Sequence, residues 1–152
     1  MKKYVFKLEP VLKIRKLKEE NCRMELGQLI AVLNKIESQL AHERTEIDNY
    51  FSIQEKSLKA GVRGDQIQAF PMLVAAKEKN IQLLIRDKKQ QEEQIESKKQ
   101  ELSVLRGELK VIENLKEKDY TEYRKAFNKE IDQKVEEQTQ NWLQHQGRKG
   151  TI

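Results

Sequence analysis

The feature that most constrains this chain is a stripe of apolar residues at alternating steps of four and three. Between residues 22 and 50 it reads Cys22, Leu26, Leu29, Leu33, Ile36, Leu40, Glu43, Ile47 and Tyr50, with one carboxylate among otherwise apolar side chains. The residues between them are mostly Lys, Glu, Gln, Asn and Ser. Such spacing is a heptad seam, a narrow apolar edge on a helix too polar to be buried elsewhere. A seam of this kind requires a second helix. Leu8 and Leu12 extend it backwards through Arg15 and Glu19.

The chain supplies its own second seam. Phe70, Val74, Lys77, Ile81, Leu84, Lys88, Gln91, Ile95, Lys98, Leu102, Leu105, Leu109 and Ile112 follow the same rhythm. Lys88, Gln91 and Lys98 weaken its middle. After Ile112 the spacing changes: Tyr120, Tyr123, Phe127 and Ile131 are reached by an extra step of four from Lys116, a stutter that locally unwinds a supercoil. Between the seams, Gly61 suits the left-handed residue that ends a helix, and Asp65 with Gln68 resembles a capping box. Pro71 bends a helix or marks its start.

The expected fold is all-α: two long helices in an antiparallel coiled-coil hairpin, the second longer and overhanging. As a single domain over 1–152 it divides into helix one at about 8–58, a connection at about 59–70, helix two at about 71–142 and a loose tail at 143–152. A short helix–helix connection makes the neighbours antiparallel. Setting Leu58 opposite Ala69 pairs residue i with about 127 − i. Cys22 then lies near Leu105, Leu26 near Leu102, Leu33 near Ile95 and Ile47 near Ile81. Glu43 falls within a turn of Lys88, and Leu8 falls opposite Asp119. Helix two overhangs by ~23 residues, or ~35 Å at the helical rise. Residues 1–7 are expected to fray. The alternative is that Tyr4 and Phe6 fold over the aromatics of the overhang.

Charge is 36% of the composition and aromatics 6%, as suits a helical rod with little core per residue. No apolar run approaches the ~20 residues of a membrane span, and no export signal follows the basic start. Cys22, the one cysteine, excludes an internal disulfide, and its place on the seam favours packing over reactivity. The net charge is +5, yet residues 1–18 alone carry seven cations against Glu9, or +6. A basic end can meet an acidic protein surface, anionic lipid or nucleic acid, or can simply be a solvated tail.

Signals of catalysis are missing. No Gly-rich phosphate loop is present. His42-Glu43-Arg44-Thr45-Glu46 begins like a zinc-protease helix but ends in Glu, and no Cys/His cluster completes a metal site. One Cys and two distant His leave no nucleophile–base pair. No catalytic residue, cofactor or metal is expected, and the chain is read as a non-enzyme. Leu26, Leu33, Leu40 and Ile47 fall seven apart behind Arg15, Lys16, Lys18 and Arg23, as in a DNA-binding zipper. Glu19, Glu20 and Glu25 interrupt that basic region and repel phosphate, so no nucleic-acid partner is expected. A prefoldin-like hairpin chaperone needs strands at the connection, and residues 59–70 are too short for them. A generic coiled-coil tether remains as a further alternative.

Two segments carry a resemblance. Phe6-Lys7-Leu8-Glu9-Pro10-Val11-Leu12-Lys13-Ile14-Arg15 is similar to the opening pattern of the flagellar export protein FliJ family. Ile112-Glu113-Asn114-Leu115-Lys116-Glu117-Lys118, followed by Glu122-Tyr123-Arg124, resembles that family's second conserved stretch. The resemblance implies an antiparallel coiled-coil stalk component of the flagellar type III protein export apparatus, needed for flagellum biogenesis, motility and chemotaxis. It implies a cytoplasmic protein, peripherally associated with the inner membrane and monomeric alone. The implied partners are the pore of the hexameric export ATPase FliI, the export gate protein FlhA and export chaperones. The ATPase-facing residues it points to are Phe6, Leu8, Leu12, Arg15, Leu115, Lys116, Tyr123 and Arg124. Gln39, Tyr50 and Leu73 correspond to the gate-facing stretch, where Glu43 and Glu46 depart from the family's apolar and aromatic residues.

Overall fold

The computed structural model describes residues 2–61 and 64–150, with the side chains of residues 65 and 66 left out of the description. It contains two helices, α1 (Glu9–Ala60) and α2 (Gly64–Lys149), and no strand among the described residues. The two helices form an antiparallel coiled-coil hairpin, with α2 the longer at 86 residues against 52. Contacts cluster into two units, one of residues 1–19 and 105–152, the other of residues 20–104.

The start of α1 follows from elementary capping. The Leu8 carbonyl accepts the first helical bond, from the Leu12 N–H at 2.9 Å. Pro10 therefore sits in the first turn, where a missing N–H costs nothing. Glu9 adds a negative charge at the positive end of the helix dipole. At the other end Gly61 takes a φ of 74°, the left-handed conformation that closes a helix. The candidate cap at Asp65 lies outside the described side chains.

Several boundaries differ from expectation. α1 ends at Ala60 and α2 begins at Gly64 rather than near 71, and residues 62 and 63 of the expected connection lie outside the described residues. Pro71 lies inside the helix, so the Ile67 carbonyl loses its helical donor there. The helix tolerates this because Phe70 and Val74 on either side remain on the packed face. The tail expected at 143–152 is helical to Lys149, and the Gly150 N–H donates to the Gln146 carbonyl at 3.1 Å.

In the unit of residues 20–104 the seams are the buried faces. Cys22, Leu40, Val74, Ile95 and Leu102 are almost fully buried, and the other seam positions there are half-buried. Residues with few polar partners fill the interface, while Lys, Glu and Gln take the outside. The register differs from 127 − i. Glu25 pairs with Lys98, Leu29 with Gln91 and Glu46 with Lys77, so contacting numbers add to about 120–125. Cys22 accordingly meets Lys98 rather than Leu105: its thiol donates to the Lys98 carbonyl at 3.9 Å. The shift of about one turn has a simple cause. With α1 ending at Ala60 and α2 beginning at Gly64, the fold-back point falls earlier than Leu58 opposite Ala69 implies.

Polar seam residues are resolved by ion pairs from the flanks. Lys77 reaches both Glu43, at 3.2 Å, and Glu46. Glu43 thus pairs with Lys77 and not with Lys88, whose ammonium lies 3.7 Å from Glu37. Glu43 Oε2 is buried within ion-pair reach of Lys77 but accepts no hydrogen bond of its own. The Gln91 amide donates to the Leu29 carbonyl at 2.9 Å, satisfying a polar group that would otherwise be costly on the seam. Lys98 bridges Glu25 at 2.7 Å and Glu101 at 3.0 Å. Those two carboxylates, Glu25 first, hold its pKa well above the ordinary lysine range.

Candidate functional site

The unit of residues 1–19 and 105–152 carries most of the residues to which the resemblance assigns a role. Its core is Phe6, Leu12 and Ile112, with Tyr4, Val11 and Leu109 packed against it. Phe6 is buried although it precedes the helix, so residues 2–7 are held in place rather than frayed as expected, and residue 1 lies outside the described residues. The alternate placing of apolar side chains at 4, 6 and 8 explains this: an extended segment turns Tyr4 and Phe6 toward α2. There the Tyr4 ring meets Tyr120 edge-on at 5.1 Å and Tyr123 at 5.2 Å. Tyr123 in turn stacks on Phe127 at 6.1 Å.

Hydrogen bonds at Lys2 and Tyr4 fasten this strap to α2. The Tyr4 hydroxyl donates to Asp119 Oδ2 at 3.1 Å and lies 3.4 Å from the Lys116 carbonyl. The Tyr123 hydroxyl donates to the Lys2 carbonyl at 2.9 Å. Burial, then the bond to Asp119, raises the Tyr4 pKa, since both disfavour the phenolate. Glu9 pairs with Lys116 at 2.9 Å, and that hydrogen bond is the first cause of its lowered pKa. Level with Lys116, Glu9 marks where α1 begins; α2 runs 33 residues further, about 50 Å at the helical rise. Leu8 lines one groove together with Leu115 and Asp119.

The ATPase-facing candidates separate by burial. Phe6 and Leu12 are core residues, exposed only 8% and 2%, and act by shaping the surface. Arg15 is half-buried, and its guanidinium donates to the Glu108 carbonyl at 2.7 Å. Lys116 and Tyr123 are half-buried by their bonds to Glu9 and Lys2. Leu8, Leu115 and Arg124 are exposed. Lys13, Lys16 and Lys18 are also exposed, and the charges of Lys13 and Lys16 add to the lowering of the Glu9 pKa. Glu19, nearly buried, is paired with Arg106 at 3.3 Å. Sequence reasoning missed the strap's own surface, Val5 above all, which no motif marked.

The gate-facing candidates lie in the other unit. Lys77 bonds Glu46, so Tyr50, one turn beyond Glu46, is level with Leu73, one turn before Lys77. Tyr50 is half-buried on the seam and Leu73 is exposed. Gln39 lies three turns away on α1, exposed, in a shallow groove with His42 and Leu83. His42 Nε2 is 3.0 Å from Glu46 Oε1, an ordinary pair one turn apart. Among the described residues no group of His, Cys, Asp or Glu is arranged to hold a metal ion.

Fold and surface together define a class: a two-helix coiled-coil hairpin with a basic end and a partly apolar groove beside it. The model of the family described as Flagellar FliJ protein matches residues 3–136, and the chain belongs to that family. It is thus a component of flagellar protein export. No curated protein and no solved structure matches the chain. No described helix is long and apolar enough to cross a membrane.

Proposed function

We propose that this protein is the coiled-coil stalk of the export ATPase. Its terminal end enters the pore of the hexameric FliI-type ATPase and promotes assembly and activity of the ring. The hairpin side, around Tyr50 and Leu73, faces an FlhA-type export gate, and export chaperones bind the same complex. On this reading the monomer works in the cytoplasm, on the inner face of the membrane that holds the export apparatus. The observation that carries it is the concentration of charge: residues 1–18 hold a net +6, while the rest of the chain sums to −1. In that stretch Lys13, Lys16 and Lys18 are exposed. Such an end attracts an acidic protein lining and orients the stalk as it enters.

The mechanism is mechanical. One pair of helices inside a six-fold ring touches the subunits unequally. Each subunit gains contacts in turn, which favours the closed hexamer over free subunits by mass action. Charge reversal at Lys16 and Lys18 should therefore weaken ring binding and lower ATPase stimulation, with a larger effect at low salt. The check is ATPase turnover against stalk concentration for wild type and the Lys16→Glu/Lys18→Glu variant at several ionic strengths. Equal curves at every salt concentration would contradict the electrostatic part of this reading.

A further inference from the structure

The strap does more than close the core: it makes one wall of a groove along α2. The groove has a volume of about 890 Å³ and is lined by Lys3, Val5, Lys7, Leu8, Leu115 and Glu122, among others. Its apolar residues are open to solvent, Val5 at 76%, Leu115 at 45% and Leu8 at 39%. An apolar trough of this size receives side chains from a partner, with polar groups on its rim fixing their orientation.

The rim indicates the partner's charge. Lys3 and Lys7 stand on the strap, and neither forms an ion pair with a described residue. On α2 the carboxylates of Asp119 and Glu122 also line the groove, Asp119 accepting the Tyr4 hydroxyl, so three lysines, Lys2, Lys3 and Lys7, stand against two carboxylates. The lining is therefore net positive beside exposed aliphatic side chains, with its lysines on the strap and its carboxylates on α2. A second copy fits poorly, because two ends of net +6 repel each other.

From this we infer that the groove between strap and α2 takes a short apolar segment with acidic flanks, presented by the ATPase ring. Leu and Val contacts supply its affinity, and Lys3 and Lys7 select its carboxylates. The inference rests on the proposed stalk function and adds to it where the ring makes contact and with what chemistry.

The test uses the full chain and the purified export ATPase, with dissociation constants measured by surface binding. Val5→Asp and Leu115→Asp replace exposed side chains, so helix content and melting temperature should stay as in wild type. Both should weaken binding by about tenfold or more, because a carboxylate is then buried against apolar surface and other acids. Lys3→Glu/Lys7→Glu should do the same and lose most of its effect at high salt. Val111→Asp, on an exposed side chain at 57% that does not line the groove, should bind like wild type. If the groove variants bind normally while Lys16→Glu/Lys18→Glu weakens the complex, the groove is overturned and the stalk function stands. If wild type fails to bind the ring, the stalk function falls and takes the groove's occupant with it. A concentration-dependent dimer abolished by Val5→Asp would identify a second copy as occupant and equally overturn the inference.

Discussion

Leu12→Ala should lower the unfolding free energy by about 3 kcal/mol, the usual cost of emptying a leucine site in a packed core. Leu12 is the most completely buried large side chain, at 2% exposure. It lies beneath Phe6 and beside Ile112, so its removal leaves a void that neither an extended strap nor a rigid helix closes easily. The strap should suffer with it. Phe6 loses its floor, and Tyr4 loses the constraint that presses it on Tyr120 and Tyr123. Urea unfolding followed by circular dichroism measures the stability, and tyrosine fluorescence reports the ring cluster. A variant as stable as wild type would show that the strap and the end of α1 do not share a core.

The second large effect concerns Lys98. Its ammonium lies between Glu25 and Glu101 on the seam of both helices. Lys98→Glu places three carboxylates together beside Ile95 and Leu102, with no cation to offset them. The melting temperature should fall sharply. Lys98→Met tests a different point. Replacing a seam cation by an apolar side chain of similar length often leaves stability unchanged or raises it, because desolvation of the charge is removed. The expected order is therefore Met at or above Lys, and Lys well above Glu. If Met proves as harmful as Glu, the ion pairs stabilise the hairpin outright rather than merely fixing its register.

Much of this was legible in the sequence, for a physical reason. Heptad spacing is a local signal, and α2 places every seam residue from Phe70 to Ile112 on its packed face. Gly61 was equally readable, since its positive φ is a requirement that glycine meets most cheaply. Register was not. It depends on where the chain turns, and Pro71 suggested a later start for α2 than Gly64. One turn of error then mispaired Glu43 with Lys88 and Cys22 with Leu105. The strap was legible only as an alternative, because Tyr4 and Phe6 lie outside any helical period. Among the site residues, the family pattern marked Phe6 and Leu12, but sequence cannot separate residues that shape a surface from residues that form it. Val5 and Lys3 make the groove and stood out in no motif.

The central claim is that one molecule folds back on itself with Gln28 level with Gln94, two exposed residues that line the same groove between the helices. Spin labels at cysteines replacing Gln28 and Gln94, in a Cys22→Ser background, test it by electron–electron distance measurement. Helices packed 8–10 Å apart predict a single distance below about 20 Å, unchanged when labelled protein is diluted into excess unlabelled chain. A long distance, or a short one that vanishes on dilution, would contradict the intramolecular hairpin.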